Sequence, residues 1–175
     1  MTKQTLSDSA AGEGADPLRL DLQLCFALYG ASNRVTRLYR PLLAPLGLTY
    51  PQYLVMLALW ETAPRSVGGL GEALDLDSGT LTPLLKRLER QGLVTRTRDP
   101  ADERRVMVAL SDAGDALREQ ARAVPGEVFC RMGGDLAELA ALRQALGVLQ
   151  RRLDAAEGAD SCGAEATIAQ ETSGL

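Results

Sequence analysis

The chain has 175 residues, 46% hydrophobic and 24% charged, with a formal net charge of −4. That length supports one compact domain with a real core, and no run approaches the roughly 20 apolar residues that a membrane-spanning helix needs. There is no histidine and there are three scattered cysteines, which excludes His-based triads and His-containing metal sites and argues against a disulfide framework or a structural zinc.

Residues 1–15 are small and polar and are expected to form a disordered tail. Asp16-Pro17 reads as a helix start. Leu18, Leu22, Cys25, Phe26, Tyr29, Val35, Leu38 and Leu42 recur at near-helical spacing, which predicts a first helix over 18–44, ended by Pro45 and Gly47. Thr49-Tyr50-Pro51 opens a second helix with Tyr53, Leu54, Leu57, Ala58 and Trp60 facing the core, and Pro64 and Ser66 mark a turn. A short glycine-containing helix follows over 67–74. Asp77 or Ser78 caps the next, whose buried stripe is Leu81, Leu84, Leu85 and Leu88. Pro83 sits in its first two turns, where it removes at most one helical bond. Gly92 ends it. The period then changes from helical to alternating over 93–110, broken by Asp99-Pro100-Ala101-Asp102, which predicts a two-stranded hairpin with a charged tip. A lone hairpin is unstable in water, so it must lean on the helices before it. Ser111 starts a long helix over 111–132, Gly133-Gly134 interrupt it, and a last helix covers 135–156. The acidic tail 157–175 is expected to be disordered.

Charge is segregated along this order. From Ser78 to Arg105 there are seven basic and four acidic residues, a net of +3 inside an acidic chain, whereas from Asp154 onward there are five acids and no base. A short helix, a turn, a basic helix and a two-stranded ribbon is the order of a winged helix-turn-helix. Its second helix fits a major groove about 12 Å wide. The candidate DNA contacts are Asp77, Ser78, Thr80 and Thr82 at the start of that helix, Lys86 and Arg87 further along it, and Arg96, Arg104 and Arg105 in the hairpin. Basic residues on a helix are most often a solvated face. The element order combined with the charge segregation favours DNA.

The stretch "LDSGTLTPLLKRLERQGLVTRTRDPADERRVMVALSDAG", with Asp102-Glu103-Arg104 as a DxR tip, resembles the MarR family of dimeric winged-helix repressors. "QLCFALYGASNRVTRLYRPLLAPLGLTYPQYLVMLALWE" resembles the branch that senses organic hydroperoxides. The resemblance covers roughly residues 18–153. It implies a mainly α fold with a small β-hairpin wing, assembled as a homodimer on pseudo-palindromic operator DNA. Residues 16–48 would form a dimerisation and sensor helix, 49–110 the DNA-binding domain and 111–156 the dimerisation helices.

A reactive cysteine needs thiolate character and access. All four tyrosines fall between Tyr29 and Tyr53. Tyr29 shares a helix face with Cys25. Tyr39 is about 21 Å along the same helix, out of reach within one chain but within reach of an antiparallel partner helix in a two-fold dimer. Read on residues alone, Cys25 is a small core hydrophobe and the tyrosines are amphipathic edge residues of the core. The resemblance implies that Cys25 is the sensor, with Tyr39 and Tyr50 of the opposite subunit hydrogen-bonded to its thiolate. Leu22, Phe26 and Tyr29 are the candidate sensor-pocket residues, and the apolar neighbours Leu22, Phe26 and Leu28 suggest a preference for organic peroxides over hydrogen peroxide. It also implies that Cys130 is a resolving cysteine that attacks the oxidised Cys25 of the partner, while Cys162 is not. No nucleotide motif is present and no cofactor is expected. Lacking a signal pattern, the protein is expected in the cytoplasm, with no membrane partner. Two other readings remain open: a repressor answering to a small aromatic acid with Cys25 passive, and a thiol peroxidase, which would leave the DNA module unexplained.

Overall fold

The structure, a computed structural model, describes residues 16–133 and 135–158. These form two compact units that divide between Arg131 and Met132. The first contains α1 (Leu24–Leu43), α2 (Tyr50–Glu61), β1 (Arg65–Ser66), α3 (Val67–Leu74), α4 (Ser78–Arg90), β2 (Val94–Asp99), β3 (Asp102–Leu110), α5 (Asp112–Ala121) and nearly all of α6 (Val124–Met132). The second contains α7 (Leu136–Gly158). The expected class, mainly helical with a small β wing, is the observed one.

Three expectations need correction. The first helix begins at Leu24, not at residue 18. Asp16 instead closes a separate turn, its Oδ1 accepting the Leu18 N–H at 2.9 Å, and Leu20–Leu22 form a 3₁₀ turn. The Gln23 side chain locks that turn by donating to the carbonyls of Pro17 and Arg19, and its own backbone is extended. Second, the hairpin is part of a three-stranded antiparallel sheet in the order β1-β3-β2, with Arg65 opposite Val108. A two-residue strand has no alternation to read. Third, the helix expected over 111–132 is broken into α5 and α6. Pro125 is the reason, because it has no N–H for the Ala121 carbonyl and its ring crowds that turn.

The core of the first unit is built on α2, which is apolar on nearly every side. Tyr53, Val55, Met56, Leu59 and Trp60 are buried together with Leu43, Leu70, Leu81, Leu85, Leu88, Val94 and Val108. The stripe on α4 is the predicted one, with Leu84 half-buried. On α2 the spacing misassigns Leu57, which is 41% exposed. The Trp60 indole donates to the Gly114 carbonyl at 2.9 Å, which ties α2 to the first turn of α5. Gly114 is required there, because a Cβ would lie 2.0 Å from the Leu93 carbonyl oxygen. Just before Leu93, past the C-terminal end of α4, the chain turns back through Gly92 at φ +73°, a region that favours glycine.

Two apolar faces lie open. One is the start of the first unit, where Leu18, Leu20, Leu22, Leu24, Phe26 and Tyr29 are exposed. The other is α7, where Leu136, Leu142, Leu146, Val148 and Leu153 are exposed. Among the described residues, no single helix is long and apolar enough to cross a membrane.

Candidate functional site

The start of α4 is organised by Asp77. Its carboxylate accepts the Thr80 backbone N–H at 2.9 Å and the Thr80 hydroxyl at 2.8 Å, which caps the helix. The Thr80 hydroxyl, followed by its backbone bond, holds the Asp77 carboxyl below the usual carboxylate range. Both groups are thereby committed to each other. Ser78 remains exposed, and Thr82 is half-buried in a cleft shared with Ser66, Arg96, Arg104 and Arg105. Lys86 and Arg87 are exposed on the face opposite the leucine stripe.

The wing tip is shaped by two aspartates. Asp99 Oδ1 accepts the Ala101 N–H at 2.9 Å, which tightens the turn. Asp102 Oδ1 accepts the Arg104 backbone N–H at 3.1 Å and the Arg104 Nε at 3.3 Å. That pair is the physical content of the DxR spacing: the acid aims the arginine. The Arg104 side chain is 93% exposed, and Arg105 beside it is also exposed. Arg96 differs. It lies on the inward side of β2 with Val94, and its side chain is only 20% exposed.

Cys25 stands in the first turn of α1, exposed. Leu22, Phe26 and Tyr29 around it are exposed too, Tyr29 by 67%. The other tyrosines gather elsewhere, where the end of α1 meets α2. The Tyr39 and Tyr50 rings are 4.7 Å apart and those of Tyr39 and Tyr53 are 5.8 Å apart. The sequence marks Tyr53 only as core. Its place in this cluster follows from the packing of two helices, which spacing along one of them does not reveal. Burial pushes all three hydroxyls above their ordinary pKa, with added repulsion from Tyr50 at Tyr39 and from Tyr39 and Tyr50 at Tyr53. At neutral pH they are O–H donors. Cys130 is exposed on α6, and Cys162 lies outside the described residues.

A second cleft is lined by Tyr53, Leu57, Trp60 and Ala121, with Arg118 and Arg122 among its polar groups. It is apolar at its walls and has a volume of about 330 Å³.

Residues 37–120 match the family model described as transcriptional regulator SarA/Rot. The chain is similar to the organic hydroperoxide resistance transcriptional regulator of Bacillus subtilis (strain 168), at 49% identity over 127 residues that cover 71% of this chain and 86% of that protein. The structure of reduced AbfR bound to DNA is similar at a TM-score of 0.68 and 37% identity, covering 77% of this chain and 92% of that one. AbfR with its disulfide formed, also 37% identical, matches at a TM-score of 0.53 over 79% of this chain and 92% of that one. These relatives are regulators rather than enzymes. With this identity and coverage, and with a capped basic helix followed by a two-stranded wing that a third strand completes into a sheet, the chain belongs to the MarR family of winged-helix transcriptional regulators.

Proposed function

We propose that this protein is a redox-sensing repressor: a homodimer that binds operator DNA when reduced and leaves it when organic hydroperoxides oxidise Cys25. Residues 49–110 form the DNA-binding domain, and residues 16–48 and 111–156 the dimerisation parts. The observation that carries the reading is the pairing of an exposed Cys25, set among exposed apolar side chains, with a separate cluster of neutral tyrosine donors. In a two-fold dimer, Tyr39 and Tyr50 of the partner subunit supply hydrogen bonds that stabilise the thiolate. The Cys25 thiolate attacks the outer oxygen of the hydroperoxide, the O–O bond breaks, and the alkoxide leaves as an alcohol after taking a proton. The product is a sulfenic acid. The Cys130 thiol of the partner then attacks that sulfur, an S–S bond forms and water departs. The apolar surroundings of Cys25 favour organic peroxides over hydrogen peroxide. The B. subtilis relative is named for organic hydroperoxide resistance, and AbfR is known in a disulfide-formed state, which supports this reading.

The deciding experiment is an operator-binding titration of wild type and Cys25→Ser with cumene hydroperoxide and with hydrogen peroxide. Wild type dissociates at lower cumene hydroperoxide concentration, and Cys25→Ser stays bound. Release of Cys25→Ser by cumene hydroperoxide refutes the sensor assignment. The cleft between α2 and the α5–α6 segment favours a second reading, a small aromatic acid as inducer, because it joins Tyr53 and Trp60 to Arg118 and Arg122, although Glu61 also lines it and Arg122 is paired with Glu119. Release from DNA by aromatic carboxylates, undiminished in Cys25→Ser, selects that reading instead.

A further inference from the structure

Among the basic residues of α4 and the hairpin, Arg96 is the one that is half-buried rather than exposed. In the sheet it stands opposite Val108, which is fully buried, and on the same side of β2 as Val94. Its guanidinium reaches back to α4, where Nη1 meets Glu89 Oε2 at 3.5 Å. Its Nε is buried with no hydrogen-bond partner. The arginine is therefore desolvated in part, at Nε, and Glu89 is the acid that offsets its charge. Glu89 is an odd choice on a helix that reads DNA, because an acid 42% exposed there repels phosphate. A DNA contact at Arg96 does not explain Glu89. A strut between helix and wing explains both residues.

We infer that the Arg96–Glu89 pair sets the angle of the wing against α4, and that Arg96 is a positioning residue rather than a phosphate contact. The wing stands on α4 through β2, and Arg96 is the charged side chain of β2 that reaches that helix. Arg96 also lines the same cleft as Arg104 and Arg105. Without Glu89 three guanidinium groups share that cleft with reduced compensation, and the one with least access to water gains most by swinging out. Removing Glu89 leaves the half-buried Arg96 guanidinium without its acid, at the modest cost typical of a partly exposed pair. The wing would then tilt, and Arg104 would no longer reach DNA in the register that α4 dictates.

The inference rests on the proposed DNA binding, and duplex selection by the wild type separates the two. The full-length protein is titrated with a duplex selected by the wild type from a random-sequence pool, over a range of salt. Arg104→Ala is the control for the wing contact. Affinity falls at least about tenfold. The slope of log K against log salt drops by about 0.9 for each phosphate no longer neutralised, hence by about two when one arginine is removed from each subunit. Failure of the wild type to select any duplex means that the underlying DNA reading fails, and unchanged affinity and slope in Arg104→Ala mean that the wing tip is not placed on DNA as the strut requires. Glu89→Gln tests the strut. It removes a negative charge from a DNA-facing helix, so simple electrostatics predicts tighter binding. The strut predicts binding weaker by at least about twofold, since the pair occurs twice per dimer, with the wild-type slope retained. Arg96→Met weakens binding similarly without changing the slope, and the double variant is no worse than either single one. Unchanged or tighter binding by Glu89→Gln overturns the inference, as does a slope in Arg96→Met that falls like that of Arg104→Ala. Glu89 is partly exposed and its substitution conservative, so the Glu89→Gln result decides the matter even where Arg96→Met fails to fold.

Discussion

Tyr39 and Tyr50 sit where a hydroxyl has two possible duties, packing and donation to sulfur. Their raised pKa separates these by pH. In the unfolded chain a tyrosine ionises near pH 10, about the reference value. Burial makes the folded protein hold those protons longer. Above pH 10 the native state binds more protons than the unfolded one, so stability is full below that point and declines as pH rises through the folded pKa values. Urea midpoints measured from pH 8 to 11 should fall in wild type and fall less in the Tyr39→Phe/Tyr50→Phe variant, and equal slopes would show that these rings are not buried. The same double variant should bind DNA normally and oxidise more slowly with cumene hydroperoxide, because the thiolate loses two donors. An unchanged oxidation rate would return both residues to packing.

Among the elements, α5 is the most tightly specified. The Ser111 hydroxyl accepts the Gly114 N–H at 3.0 Å and caps the helix. The Gly114 carbonyl takes the Trp60 indole N–H, and the missing Cβ of Gly114 lets the helix touch the Leu93 carbonyl. Gly114→Ala forces α5 away from the end of α4, and the obstacle is backbone with no rotamer to yield. The cost is about 1–3 kcal/mol, as for other overpacked sites. Thermal unfolding should show Tm lowered by several degrees, whereas Gly126→Ala, whose added methyl meets no neighbouring element and which lies within α6, should leave Tm unchanged or raise it slightly through helix propensity. Equal Tm values for the two variants would show that α5 and the Leu93 backbone are not in close contact. Between α4 and the wing, the proposed strut depends on strand register. Pairing from Val94–Leu110 to Arg98–Val106 fixes which side of β2 faces inward, and Arg96 is carried inward with Val94.

For the whole molecule, the open question is what covers the two exposed apolar faces. Leu139, Leu142, Leu146, Leu149 and Leu153 recur on α7 at alternating spacings of three and four, the pattern of a helix that pairs with another helix. A second copy of the chain is the proposed cover, and it places Cys25 near the partner subunit. Bridging to Cys130 needs Cα atoms within about 7 Å. After one equivalent of cumene hydroperoxide per subunit, wild type and Cys162→Ser should run as dimers on a non-reducing gel and Cys130→Ser as a monomer. A cross-link that survives in Cys130→Ser and vanishes in Cys162→Ser would make Cys162 the resolving residue.

The helices with strong local signals were legible in the sequence. The helix starts at Thr49, at Asp77 or Ser78 (the structure selects Asp77) and at Ser111, the leucine stripe of α4 and the alternation through β2 and β3 are dictated within a few residues of chain, where hydrogen-bond geometry and side-chain period act directly. The aspartate–arginine spacing of the wing tip belongs with them, since Asp102 reaches only two residues ahead. Other features needed the fold. The pairing of β1 with β3 joins segments about forty residues apart in the sequence, and nothing local in two residues announces it. The exposure of Leu57 depends on which neighbours reach an all-apolar helix. The gathering of Tyr53 with Tyr39 and Tyr50 depends on how α1 crosses α2. Arg96 shows the division most clearly: its sequence context marks it as one more basic residue of a DNA-binding wing, and only the register of the sheet and the approach of α4 turn it inward onto Glu89.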